Sequence, residues 1–104
     1  TVIASVAGRP DMPQAIFFGN DALAAGALVE CQRRGIAVPK DLAIVGFADL
    51  AVAAAMEPAI TTVRVPTARM GEVAGHMLLA RFSGAAPGEP VRDLGFELIR
   101  RGSA

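Results

Sequence analysis

The sequence predicts an α/β fold, with three layers (α/β/α) built around a mostly parallel, Rossmann-like sheet. Two short, continuous apolar runs, residues 15–19 and 42–47, have the composition of strands that are buried on both faces of a sheet. Between them, residues 22–34 form a segment of helical length whose first eight residues carry no polar side chain, and Gly35 can end this helix. A strand, a helix and a second strand in this order predict a βαβ unit, whose two strands are parallel.

The elements on either side of this unit are predicted from shorter patterns. Residues 2–8 carry apolar side chains at helical spacing and indicate the end of a helix. Residues 50–56 predict a short helical turn, which Pro58 stops because a residue before proline avoids the α region. Residues 61–65 are rich in β-branched side chains, so we expect a third strand.

Residues 66–99 predict a helix, a loop and a strand. Residues 66–82 give the clearest amphipathic pattern in the chain, beginning at a proline that suits the first turn of a helix. Residues 83–90 predict a loop. Residues 91–99 alternate apolar and polar side chains, which indicates either an edge strand or a half-exposed strand.

Composition limits the classes of function. The chain has 104 residues, enough for one small domain, and 21 of its apolar residues are alanine. Ten basic residues balance ten acidic ones, so the footprint of a nucleic-acid-binding surface is absent from this chain. The apolar runs are too short to span a membrane, and the first residues do not resemble a secretory signal. We expect a cytoplasmic protein without a membrane partner.

The residues that could carry catalysis are few. Cys31 is the only cysteine, which excludes an internal disulfide and a cysteine-based metal site, and its place within a helix predicts a buried, unreactive thiol. His76 is the only histidine, and we expect it to form an exposed pair with Glu72. The glycines do not follow a phosphate-binding spacing. We therefore predict no enzyme activity, no cofactor and no metal; a small nucleotide-dependent enzyme is the disfavoured alternative.

The ends of the two apolar strands are more informative, because ligands of open parallel sheets bind beyond the carboxyl ends of the strands. Asn20 follows the first strand, and Phe47 and Asp49 lie at the end of the second. An amide and a carboxylate together suit polyhydroxy ligands such as sugars. The alternative is that Asn20 or Asp21 only caps the following helix.

Four motifs in order and register resemble a known family. They are Ala-Ile-Phe-Phe-Gly-Asn-Asp-Ala at 15–22, Arg-Gly-Ile-Ala-Val-Pro-Lys-Asp-Leu-Ala-Ile-Val-Gly-Phe at 34–47, Pro-Ala-Ile-Thr-Thr-Val at 58–63, and Met-Gly at 70–71 followed by Leu-Leu at 78–79. They resemble the effector-binding domain of the lactose-repressor/galactose-repressor family of bacterial transcription regulators. Residues 30–35, 55–58 and 93–96 are most similar to the gluconate-operon repressors of that family.

The resemblance implies one lobe of a two-lobed fold similar to periplasmic sugar-binding proteins, with the effector held between the lobes. We expect residues 1–104 to be the C-terminal part of this effector-binding and dimerisation domain, without the helix-turn-helix that binds operator DNA and without the N-terminal lobe. Asn20 matches a residue that commonly contacts the effector. Ala48 departs from the family, in which many members have an aspartate there, and loss of that carboxylate favours an anionic sugar acid such as gluconate.

The resemblance also implies a homodimer. Its interface would use the helix at 22–34 and the segment at 50–56, whose small side chains permit close approach; the expected interface residues are Ala22, Ala25, Leu28, Val29, Ala53 and Met56. Burial of this helix inside its own lobe is the alternative. The apolar stripe of the helix at 66–82 also needs a cover, either from this chain or from a neighbouring copy.

The expected function is therefore the sensing of a sugar or sugar acid by a transcriptional repressor, with allosteric control of operator binding. The alternative is a sugar-binding component of a transport system that has the same fold.

Overall fold

A computed structural model describes residues 1–86 and 88–104 of the chain. The chain divides into two compact units, Thr1–Arg64 with Glu97–Ala104, and Val65–Phe96. The first unit contains a four-stranded sheet in the order β1-β2-β3-β4. In chain order the elements are α1 (Val2–Val6), β1 (Ala15–Phe17), α2 (Asp21–Arg34), β2 (Ala43–Phe47), α3 (Ala51–Ala55), β3 (Thr61–Arg64), α4 (Thr67–Phe82) and β4 (Glu97–Ile99).

The sheet is mostly parallel, as the sequence predicts. β1 pairs with β2 and β2 pairs with β3 in parallel, while β4 is antiparallel to β3. The predicted α/β fold is confirmed. Because β1 and β2 are parallel neighbours, the residues that follow them lie at the same end of the sheet, where the carboxyl ends of the strands meet.

Helix α2 has the ends that the sequence indicates. The backbone N–H of Leu23 donates to Asn20 Oδ1 at 2.9 Å, so Asn20 rather than Asp21 is the N-cap. Gly35 ends the helix with φ of 70°, a conformation that glycine adopts without the steric cost of a Cβ atom. The core of the first unit packs this helix against the sheet and α3; its fully buried apolar members are Ala24, Leu28, Cys31, Leu42, Ile44, Ala53 and Ile60.

The prediction that β1 is buried on both faces is wrong. Ile16 packs against the core, but Ala15 is exposed and Phe17 has 62% of its surface accessible. β1 is an edge strand, and alternate residues point to opposite faces of a sheet, so the side chains of Ala15 and Phe17 lie on the face opposite Ile16. An apolar run alone does not distinguish a strand covered on two faces from an edge strand covered on one.

The predicted strand at 91–99 is much shorter in the structure, where β4 contains only Glu97–Ile99. The backbone N–H of Gly95 donates to Asp93 Oδ1 at 2.8 Å, and Gly95 has φ of 74°. This local turn diverts the chain before it can pair with β3, although the side chains alternate through it.

Residues after β4 close the opposite end of the sheet. The Ser103 hydroxyl accepts a hydrogen bond from Thr61 N–H at 2.9 Å and donates one to the Ile44 carbonyl oxygen, and Ser103 is fully buried. Its backbone N–H donates to the Ala59 carbonyl oxygen at 3.0 Å. Ser103 therefore bridges β2 and β3 near their amino ends, a role that the sequence pattern did not indicate.

The second unit contains α4, whose predicted span is confirmed to within one residue. Val73 is buried, whereas Met70, Leu78 and Phe82 are exposed. In this helix Glu72 accepts a hydrogen bond from Arg69 at 2.9 Å instead of pairing with His76, so the expected Glu72–His76 pair is wrong. The predicted loop at 83–90 includes Pro87, which lies outside the described residues.

Over the described part of the chain, no helix combines the length and the apolar character needed to cross a membrane.

Candidate effector site

The residues predicted to bind an effector lie at the carboxyl ends of the parallel strands. Asn20 follows β1 and is exposed, and Phe47 is the last residue of β2. The Asn20 side chain uses its carbonyl oxygen to cap α2. Within residues 1–86 and 88–104 its Nδ2 amide group has no hydrogen-bond partner, so the cap leaves two N–H donors for a ligand.

Phe47 contacts a residue that the sequence reasoning did not select. Its ring meets the ring of Phe17 edge to face, with centroids 6.5 Å apart and an angle of 78° between the planes. Phe17 pairs in register with Val45, so both rings lie on the sheet face opposite α2. The pair offers an apolar surface next to the strand ends.

Asp49 lies two residues beyond β2 and is held by two arginines. Its Oδ2 accepts from Arg64 Nε at 2.7 Å and its Oδ1 accepts from Arg101 Nη2 at 2.7 Å. Only 11% of the Asp49 side chain is exposed. Hydrogen bonds from Arg101, and then from Arg64, lower the pKa of Asp49 below its ordinary value. The carboxylate is therefore ionised at neutral pH, and each of its oxygens already accepts a hydrogen bond from an arginine.

The backbone before Asp49 is strained. Ala48 has φ of 99° and Asp49 has φ of 54°, in a region that residues with a Cβ atom seldom adopt. The Ala48 N–H donates to the Val63 carbonyl oxygen at 2.8 Å, which fastens this turn to β3. Strain of this kind persists where the surrounding contacts fix the backbone, and it occurs frequently at ligand sites.

The two arginines differ in exposure. Arg101 is 19% exposed and also donates from Nη1 to the Ile60 carbonyl oxygen at 3.0 Å, so it belongs to the framework of the unit. Arg64 is 50% exposed, and Asp49 raises its pKa by accepting its hydrogen bond. Neither arginine was selected from the sequence, since their pairing with Asp49 depends on which strands are neighbours.

The buried carboxylate of Asp21 holds the ends of the strands in place through hydrogen bonds. It is fully buried; its Oδ1 accepts from the Thr62 hydroxyl at 2.6 Å and its Oδ2 accepts from Leu50 N–H at 2.6 Å. The carboxylate thus joins the start of α2 to β3 and to the loop before α3. The available signal was an acidic residue directly before the apolar first two turns of α2, but in the sequence alone Asp21 is explained equally well as a helix cap.

The residues expected at a dimer interface differ in accessibility. Leu28 and Ala53 are fully buried in the first unit, and Ala25 is nearly so. Ala22 and Val29 are exposed, and Met56 is partly buried. A partner could reach only this second group without rearranging the core of the unit.

Two chemical groups considered from the sequence are also placed. Burial raises the pKa of the Cys31 thiol, with a smaller effect of the Glu30 charge, which fits the predicted unreactive cysteine. Among the described residues, no three His, Cys, Asp or Glu side chains are grouped as ligands for a metal ion.

The fold and the strand-end site define a class of ligand-binding domain, and comparison with known proteins identifies it. Residues 2–104 match the periplasmic binding protein-like domain model, and the chain belongs to this family. The Escherichia coli (strain K12) HTH-type transcriptional regulator GntR is 43% identical over 97 residues, a match that covers 91% of this chain and 29% of that protein.

Solved structures agree. The transcription regulator GntR from Chromobacterium violaceum matches with a TM-score of 0.81 and 46% identity, over 96% of this chain and 36% of that one. A LacI family transcriptional regulator from Lactobacillus casei, solved with bound sucrose, matches with a TM-score of 0.73 and 30% identity, over 89% of this chain and 34% of that one. The predicted lactose-repressor family is confirmed, and the chain spans about 29% of the length of the curated relative.

Proposed function

We propose that this chain is the ligand-sensing and dimerisation part of a bacterial transcriptional repressor that responds to a sugar acid, with gluconate as the first candidate. The similarity to transcription regulators supports the regulatory role, and the sucrose-bound neighbour supports a carbohydrate-like ligand. These proteins also favour a cytoplasmic regulator over an enzyme.

The observation that carries the choice of a sugar acid is the balance of donors and acceptors at the strand ends. Asn20 offers two free N–H donors, and Arg64 offers a half-exposed guanidinium. The carboxylate of Asp49 is committed to two arginines, and Ala48 supplies no side-chain acceptor. A neutral sugar needs acceptors for its hydroxyl hydrogens, whereas a carboxylate needs donors.

The mechanism that we propose is allosteric. An effector held against Asn20, Phe47 and the Asp49 turn would favour one arrangement of the two lobes. In a dimer, that arrangement would change the spacing of the segments that bind operator DNA, which would lie outside residues 1–104. Operator DNA is thus a proposed partner of the whole protein and not of this sheet edge.

The proposed homodimer would use the exposed part of α2. Ala22 and Val29 lie along this helix, and Met56 follows α3, which packs on α2. Leu23, also exposed, adds apolar surface that a second copy could cover. Burial of small apolar side chains against a symmetry-related helix is the source of stability in this proposal.

Ligand-dependent thermal unfolding of the protein that carries this chain, at its natural length, tests the effector class. A ligand that binds the folded state raises Tm in proportion to the logarithm of its concentration relative to Kd. Gluconate should raise Tm at concentrations at which glucose, galactose and ribose do not. A rise with the neutral sugars alone would contradict the proposal.

The alternative, a sugar-binding component of a transport system, has the support of the shared family description. The chain segment before Thr1 in the natural protein distinguishes the two. A helix-turn-helix there indicates a regulator, and a secretory signal indicates transport.

A further inference from the structure

We propose that Arg64 binds the carboxylate of the acid-sugar effector and gives the site its preference for an anionic ligand. This inference rests on the proposed function and deepens it, because it names the residue that distinguishes a sugar acid from a neutral sugar.

The position of Arg64 brings it to the candidate site. It is the last residue of β3, which runs parallel to β2 and pairs with it up to Phe47 and Val63. The carboxyl end of β3 therefore lies at the same end of the sheet as Phe47 and the turn at Ala48 and Asp49. The 2.7 Å bond from Arg64 Nε to Asp49 Oδ2 places the guanidinium directly beside that turn.

The guanidinium has donors to spare. Arg64 uses Nε for Asp49, and Nη1 reaches Glu97 Oε2 only at 3.4 Å. Within the described part of the chain, Nη2 has no hydrogen-bond partner. Nη1 and Nη2 can therefore donate two parallel hydrogen bonds to a carboxylate while Nε keeps its bond to Asp49.

Charge favours an anion at this position. Asp49 carries one negative charge between two arginines, and it keeps Arg101 whichever partner Arg64 takes. Glu97 is the only other described acid bonded to Arg64, and it is 67% exposed. A bond between exposed ions at 3.4 Å contributes little, so an effector carboxylate can displace Glu97 at small cost.

In this proposal Asp49 does not bind the effector directly, as the sequence led us to expect, but positions Arg64. With both oxygens bonded to arginines, it orients the Arg64 guanidinium instead of accepting hydrogen bonds from sugar hydroxyls. The strained turn at Ala48 and Asp49 holds the carboxylate in place for this purpose.

Isothermal titration of gluconate and glucose into the natural-length protein tests the inference, with wild type, Arg64→Gln and Arg33→Gln compared. Loss of a bidentate, charge-assisted pair should weaken gluconate binding about ten- to a hundredfold in Arg64→Gln. Arg33 is exposed in the last turn of α2, about 20 Å along the helix from Asn20, so its variant removes the same charge far from the site. It should bind gluconate as the wild type does.

Gluconate binding by Arg64→Gln equal to that of the wild type would overturn the inference and leave the proposed function standing. A wild type that does not bind gluconate would overturn both. If Arg64→Gln fails to fold, Glu97→Gln gives an independent readout, because removing the competing acid should strengthen gluconate binding about two- to fivefold at low salt. Unchanged affinity in that variant would also count against Arg64.

Discussion

The Thr62 hydroxyl donates a hydrogen bond to Asp21 Oδ1 at 2.6 Å, and both side chains are fully buried. This bond joins β3 to the first turn of α2, while the other oxygen of Asp21 holds the loop before α3. The strand ends that carry the candidate site are therefore fixed by a polar contact beneath the exposed edge. Its loss should affect both folding and ligand binding.

Asp21→Asn should lower the free energy of unfolding by about 1–3 kcal/mol, because an amide cannot accept from both Thr62 and Leu50 as the carboxylate does. Urea denaturation measures the change from the midpoint at constant slope. Asp11→Asn is the matched control, since Asp11 is exposed and should change stability by less than about 0.5 kcal/mol. Equal effects of the two substitutions would contradict the role given to Asp21.

Gly46→Ala tests the same contact from the sheet side. A Cβ atom on Gly46 would collide with Asp21 Oδ1 and lie 3.3 Å from the Asp21 Cα, so we expect a loss of about 1–3 kcal/mol. Gly26→Ala is the control because its Cβ would meet no atom within 4 Å in the middle of α2. That variant should instead gain about 0.5–1 kcal/mol. A neutral Gly46→Ala would show that Asp21 does not occupy this position.

The acid sensitivity of folding should depend on Asp49. Hydrogen bonds from Arg101 and Arg64 lower the pKa of Asp49 in the folded state, so the unfolded state binds a proton more readily. The stabilisation is present above the unfolded pKa of about 4 and is lost as pH falls through the lower folded pKa. Unfolding free energies measured from pH 6 down to pH 3 should show this decline.

In Asp49→Asn this part of the acid dependence should be absent, whatever the stability of the variant at pH 6. The quantity compared between the two proteins is the slope of the unfolding free energy against pH, and not the unfolding free energy at any one pH. An unchanged slope would mean that Asp49 is not paired as the structure describes.

Self-association should depend on the exposed side of α2. Val29→Glu and Ala22→Glu place a charge where a second copy would pack, and we expect both to give monomers by light scattering at micromolar concentration. Ala68→Glu, an exposed alanine in the first turn of α4, is the control and should leave the mass unchanged. A wild type that is itself monomeric would refute the proposed dimer.

Local signals explain which parts of the fold the sequence predicts well. The ends of α2 depend on Asn20 and Gly35, whose side-chain and backbone preferences act within a few residues. The alternation at 91–96 was misleading because the turn between Asp93 and Gly95 acts through the backbone, which the apolar pattern does not report. The exposure of Phe17 depends on which face of the sheet the core covers, and an apolar run does not indicate this.

The candidate site also contains some residues that local sequence signals indicate and others that only the assembled fold brings together. Asn20, Phe47 and Asp49 could be selected because they directly follow predicted strands. Arg64 and Arg101 could not, since they lie 15 and 52 residues from Asp49 in sequence and meet it only after β2, β3 and β4 are assembled. Ion pairs between residues so far apart in sequence produce no periodic pattern of residue types, so the sequence does not indicate them.

Calorimetric titration of gluconate and of glucose into the natural-length wild-type protein is the most direct test of the central claim. The donor-rich edge formed by Asn20 and Arg64 predicts that gluconate binds at least about tenfold more tightly than glucose. Glucose binding as tightly as gluconate, or more tightly, would contradict it.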